Sequence, residues 1–266
     1  MANSMPQKSG SLIEWLMPLG FIAASGWVIW NAPHYIVSFG GASEAMQSLH
    51  GPATAFDWLP LLLMPVFMIA GILTIRCAPM EFADWRGFDR LSLFLGRVTM
   101  ALVALIVCVM FYEVVLRYVF ERPTLWANEL SLWMAGFVFL LAGLYAMQQR
   151  SHIRIYLLYD VLPRWLQRIC DIISATLIIL FAFFMFYGGY TEARDKFLRW
   201  ETFGTAFDPP IPATLKPLVL IVIGLVALQA AWNLIMDWNK APEHHTPADE
   251  IDEQEIAEIR ATIHKD

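Results

Sequence analysis

The chain has 266 residues, of which 58% are hydrophobic and only 16% charged, where soluble domains hold about a quarter charged residues. With a mean hydropathy of +0.53, that excludes an ordinary soluble domain. The net charge of −6 comes from residues 241–266, where eight acids face two bases; the other 240 residues carry sixteen of each, so there is no basic field for nucleic acid.

Stretches free of Asp, Glu, Lys and Arg were weighed against the roughly 20 apolar residues that cross a hydrocarbon core. The first runs from Trp15 to Trp30 and stops at Asn31-Ala32-Pro33. Lys8 and Ile22-Ala23-Ala24-Ser25 resemble parts of a signal peptide, but Trp15, Trp27 and Trp30 favour a retained anchor. The second runs from Trp58 to Ile75 between Asp57 and Arg76, with a kink expected at Pro65 rather than at Pro60 near its start. The third, Val98 to Tyr112, is short, but apolar residues continue through Leu91–Leu95 and Val114–Phe120, predicting a long helix with Arg97 and Arg117 snorkelling at its ends. The last three spans cover 130–149, 172–191 and 217–236.

Between the fourth and fifth spans, Ile155, Leu158, Tyr159 and Leu162 share one helical face, which predicts an interfacial amphipathic helix over about 152–162, with Pro163 opening the next span. After Asn239, Thr246 as N-cap and Pro247 at the first helical position precede Ile256, Ile259 and Ile263 on one face. Two readings are open for this tail, a solvated helix or one that docks on a partner. The expected fold is therefore all-α: a polytopic membrane protein with six transmembrane helices and one interfacial helix. It divides into two N-terminal helices (1–80), a four-helix core (81–240) and an acidic tail (241–266). Lys and Arg number twelve on the connections that share a side with the N-terminus and six on the others, which predicts two cytoplasmic termini.

The spans hold few chemical tools. None of the six histidines lies inside the charge-free part of a predicted span, so paired imidazoles for an intramembrane haem are lacking. HExxH and P-loop motifs are absent, and Cys77, Cys108 and Cys170 lack ligand spacing. A stand-alone carrier or channel calls for mid-membrane carboxylates or broken helices, and a quinone- or haem-linked enzyme calls for intramembrane histidine. The nearest charges are Glu113 and Arg117, one helical turn apart and expected to pair. Gly188-Gly189 and Gly136/Gly143 suit close helix packing. This inventory predicts no enzyme and no cofactor, but a scaffold serving another subunit.

From about Asp89 to Asn239 the chain resembles the small, DctQ-type membrane subunit of tripartite ATP-independent periplasmic (TRAP) transporters. The residues that carry the likeness are Arg117-Tyr118-Val119-Phe120, Arg122-Pro123, Leu125-Trp126, Glu129-Leu130, Arg150-Ser151-His152-Ile153-Arg154, Leu157-Leu158, Leu162-Pro163 and Arg168 to Asp171. Asp208-Pro209-Pro210 through Lys216 to Leu228-Gln229 resembles the longer mannitol/chloroaromatic-type subgroup; Asn128 and Tyr156 depart from the family pattern. The resemblance implies an inner-membrane subunit that packs against the static part of a large (DctM-type) membrane subunit. That partner would carry Na⁺ and an organic acid delivered by a periplasmic binding protein. It also implies that Arg117, Pro123, Trp126 and Glu129 shape the outer loop, and that His152 and Arg154 set the interfacial helix among lipid headgroups. The outer segment 192–216, with Arg194, Lys196, Arg199 and Lys216 interleaved with four acids, is the candidate for docking the binding protein through complementary charge.

Overall fold

The computed structural model describes residues 12–41, 44–76, 78, 81, 86–150 and 162–238. Among them it holds eight α-helices and no strand: α1 (Leu12–Trp30), α2 (Ala32–Ser38), α3 (Glu44–Leu49), α4 (Ala55–Thr74), α5 (Asp89–Tyr118), α6 (Ala127–Gln148), α7 (Arg164–Leu198) and α8 (Ile211–Asp237). Five of these, α4 to α8, are long and apolar enough to cross a membrane. The helix predicted at 152–162 and the acidic tail fall almost wholly outside the described residues, as do His152 and Arg154.

The long helices outrun the charge-free stretches because charge marks the end of the hydrocarbon, not the end of a helix. Thus α7 has 35 residues, about 52 Å at 1.5 Å each, against a core of about 30 Å. Its charged ends, with Arg164 and Arg168 at one and Arg194 and Lys196 at the other, extend past the apolar layer. In the segment between the first two predicted spans, Asn31 ends α1 and Pro33 then starts α2, where a missing N–H costs nothing. The carboxylate of Asp57 accepts hydrogen bonds from Thr54 N (2.8 Å) and Oγ1 (2.7 Å), fixing the start of α4. From there α4 runs unbroken through Pro60 and Pro65.

The helices form three neighbouring pairs, α1 with α4, α5 with α6, and α7 with α8; α5 joins the first two pairs and α6 packs on α8. One end of the bundle holds Trp30, Ala55, Tyr118, Ala127, Leu198 and Ile211 and is called here the Trp30 end; the other is the Asp89 end. The core collects Ile75, Leu93, Phe94, Leu95, Val98, Leu102, Leu141, Leu144 and Val222. The ring of Phe94 lies on Gly71, where a Cβ would collide with it, and meets Phe21 edge-on at 5.6 Å. These contacts seat the N-terminal pair on the first half of α5.

The glycine expectations divide. Leu215 packs on Gly136 and Leu220 on Gly189, but nothing lies within 4 Å of a Cβ built at Gly143 or Gly188. Those two glycines thus make no close helix contact among the described residues.

Candidate functional site

At the Trp30 end, Glu113 is the organising group. It is 2% exposed and accepts from Arg117 Nε (3.1 Å) and Nη2 (2.6 Å), one turn ahead on α5. Its other oxygen takes the amide of Thr124 (3.0 Å) and the Thr124 hydroxyl. The pair expected from i, i+4 spacing is therefore half of a clamp that also folds loop 119–126 back onto α5. Pro123 lies exposed in that loop. Trp126 caps α6, its ring 6.1 Å from Tyr112. Glu129, in the first turn of α6, accepts from Thr205 Oγ1 at 2.6 Å, which ties α6 to the loop before α8.

That loop uses part of its charge internally. Lys196 pairs with Glu201, and Lys216 with Glu192. Arg194 and Arg199 are exposed and make no ion pair among the described residues. α7 closes in a Schellman motif, with Glu201 N to Lys196 O at 3.1 Å and Trp200 N to Phe197 O at 3.0 Å. This puts Trp200 in the left-handed region at φ +48°.

The Asp89 end carries polar groups that charge counting missed. Gln229 Nε2 donates to Asp89 Oδ1 (2.7 Å) and Asn233 Oδ1 (2.9 Å), and Gln229 Oε1 accepts from Ser92 (2.8 Å). Asn233 Nδ2 donates to the Met147 carbonyl (2.8 Å), and the Arg86 amide donates to Asp89 Oδ2 (2.8 Å). Asp89, Ser92 and Gln229 are fully buried, so this network joins α5, α6 and α8 inside the apolar body. A second hub is Glu81, whose carboxylate takes Arg97 Nη1 (2.8 Å) and Nη2 (2.9 Å), the Tyr145 hydroxyl (2.9 Å) and the Ala78 amide (2.7 Å). Arg97 does not snorkel: its side chain is only 12% exposed because a buried carboxylate meets it. Arg150 grips Asp237 through two bonds, 2.6 and 3.0 Å.

Among the described residues no group of His, Cys, Asp and Glu could hold a metal ion. The candidate residues form no single centre. Arg117, Pro123, Trp126 and Glu129 gather around one loop, while Arg194, Arg199 and Lys216 line another. Hydrogen-bonded donors and acceptors that satisfy one another tie helices together.

These features define a helical, multi-span membrane protein whose buried polar groups serve as joints. The family described as tripartite ATP-independent periplasmic transporters, DctQ component, matches residues 106–240, about half of the chain. The chain belongs to that family and is a small component of such a transporter. The match opens midway along α5, later than the Asp89 start suggested by the sequence likeness. No curated protein sequence and no solved structure matches the chain significantly.

Proposed function

We propose that this chain is the scaffold subunit of a TRAP transporter, packing against the large membrane subunit and supporting Na⁺-coupled uptake of an organic acid supplied by a periplasmic binding protein. The observation that carries the reading is how the bundle uses its polar groups. Asp89, Gln229, Ser92 and Asn233 saturate one another, Glu81 saturates Arg97, and Glu113 is spent on Arg117 and Thr124. Such a bundle is a rigid frame. Substrate and Na⁺ then bind the large subunit, and this chain needs no cofactor of its own.

In this proposal α1 is the sixth crossing, both termini are cytoplasmic, and the Trp30 end faces the periplasm. Residues 81–240 form the functional core, and His152 and Arg154 hold an interfacial helix at the inner headgroups. The likeness at 208–229 favours the longer mannitol/chloroaromatic-type subgroup. The exposed aromatic run on α7, Phe181, Phe183, Phe184, Phe186, Tyr187 and Tyr190, is the face offered to the large subunit. Arg194, exposed on α7, presents positive charge to the binding protein, while Lys216 is paired with Glu192.

Reconstitution tests the reading. Vesicles receive this chain alone, the large subunit alone, or both, with the binding protein and a Na⁺ gradient. Organic-acid uptake is expected only when all the components are present. Uptake by this chain alone would refute the scaffold assignment, and unchanged uptake without it would show that it is dispensable.

A further inference from the structure

A cavity of about 500 Å³ opens near the Trp30 end, between the N-terminal helices and the core helices. The N-terminal pair joins α5 toward the Asp89 end, where Phe94 meets Gly71 and Phe21. Toward the Trp30 end the cavity lies between the two groups, which meet again where Trp30 stacks on Phe207 and Leu198 lies beside Gly41. Val28 of α1, Tyr35 of α2, Leu61 of α4, Phe137 of α6, Leu198 of α7 and Ile221 of α8 contribute its walls. We infer that this crevice binds one phospholipid from the leaflet at the Trp30 end, with its acyl chains in the cavity and its phosphate on Arg199.

Four observations point to that occupant. First, the walls are hydrocarbon, and the hydroxyls among the lining residues are engaged. Thr214 Oγ1 accepts from Trp133 Nε1 (2.8 Å) and donates to Pro210 O (2.6 Å), while the Tyr35 hydroxyl donates to Asp57 O. Burial and nearby Asp57 push the Tyr35 phenol above its usual pKa, so it remains a neutral donor. Such a site does not hold water. Second, Phe137 and Ile221 lie eight and five residues past Glu129 and Lys216, the charges that mark the hydrocarbon edge on α6 and α8, about 12 and 8 Å deep. The crevice thus lies within one leaflet. Third, the walls come from six helices of this chain and leave about 500 Å³ between them, a space whose apolar lining suits acyl chains.

The fourth observation is charge. Arg199 lies between Leu198 and Trp200, both of which line the cavity. It is exposed and makes no ion pair among the described residues, although Asp195 is one turn back on α7, and the neighbouring Lys196 is taken by Glu201. An exposed guanidinium next in sequence to two lining residues, with no ion pair among the described residues, matches a phosphodiester joined to hydrocarbon chains. This assignment leaves Arg194 as the base available to a soluble partner.

The full-length chain is extracted in mild detergent, stripped of lipid, titrated with phosphatidylethanolamine and phosphatidylglycerol, and examined by native mass spectrometry. One phospholipid is expected to remain at activation energies that remove annular lipid. Arg199→Gln, a change on an exposed side chain, is expected to weaken that binding about fivefold. Val28→Trp, which fills the slot, is expected to abolish it while helicity and elution volume stay as in the unaltered chain. If no lipid outlasts the annular ones, or both variants bind lipid as the unaltered chain does, the inference is wrong. It is equally wrong if Val28→Trp leaves lipid retention intact but stops assembly with the large subunit, because a protein segment would then be the occupant.

Discussion

Replacing Gln229 by Leu tests whether the bundle is held by polar joints rather than by apolar packing alone. The substitution keeps an apolar-compatible volume and removes two bonds between helices, to Asp89 and Ser92 on α5. Hydrogen bonds between membrane helices average about 0.6 kcal/mol and reach about 1.7, so the two together are worth about 1–3 kcal/mol. The fully buried Asp89 carboxylate also loses a donor that no water replaces, and a stranded buried acceptor costs about 1–3 kcal/mol. The expected loss is about 2–4 kcal/mol of the ranges combined, because the carboxylate keeps its bond from the Arg86 amide. The assay is reversible unfolding in bicelles with increasing dodecyl sulfate, followed by tryptophan fluorescence. A double-mutant cycle with Ser92→Ala isolates one bond, and the coupling should be about 1 kcal/mol. A Gln229→Leu loss below about 0.5 kcal/mol, or additivity within about 0.3 kcal/mol in the cycle, would refute the reasoning.

Glu81→Gln leaves Arg97 largely buried beside a neutral amide, and breaking one partner of a buried pair costs about 3 kcal/mol or more. The double replacement Glu81→Met with Arg97→Met should recover most of that loss, since exchanging both charges for apolar groups is often neutral. Cross-linking between cysteines placed at Phe21 and Phe94 reads the effect locally, and equal cross-linking in all the variants would contradict it. Reversal of the unpaired Arg194 to Glu should slow binding-protein-dependent uptake several-fold at low salt. The deficit should shrink as ionic strength passes about 0.15 M, where the screening length is about 8 Å. Uptake unchanged at every ionic strength would remove Arg194 from the docking surface.

What could be read from the sequence follows the range of the interaction concerned. The central parts of α4 to α8 were legible because crossing a bilayer demands an uninterrupted apolar run; compare residues 130–149 with Ala127–Gln148. Helix ends were less so, since nothing about Arg164 or Lys196 prevents helical backbone in water. Glu113 with Arg117 was visible as neighbours one turn apart, but Thr124, eleven residues from Glu113, comes back only because the loop folds. Glu81 gave little local signal: beyond the Ala78 amide, its partners Arg97 and Tyr145 are 16 and 64 residues away. Gln229 and Asn233 did give one. They are two amides a single turn apart in an apolar helix, polar but without charge.

The N-terminal helices show how an addition joins a bundle without disturbing it. Their seat on α5 includes Phe94, against Gly71 and Phe21, and it precedes the family-matched residues 106–240. Among the described residues, the Glu81 clasp reaches the matched stretch at Tyr145. An apolar helix pair can therefore be seated by residues ahead of the match, with Gly71 as the close approach and one carboxylate as the tie. The same geometry makes the crevice: the two groups of helices meet toward the Asp89 end at Phe94 and again at Trp30 and Phe207, with the cavity between these contacts. Filling that gap with lipid preserves the dispersion contacts that an empty slot would forfeit, so the frame stays stiff without further protein contacts.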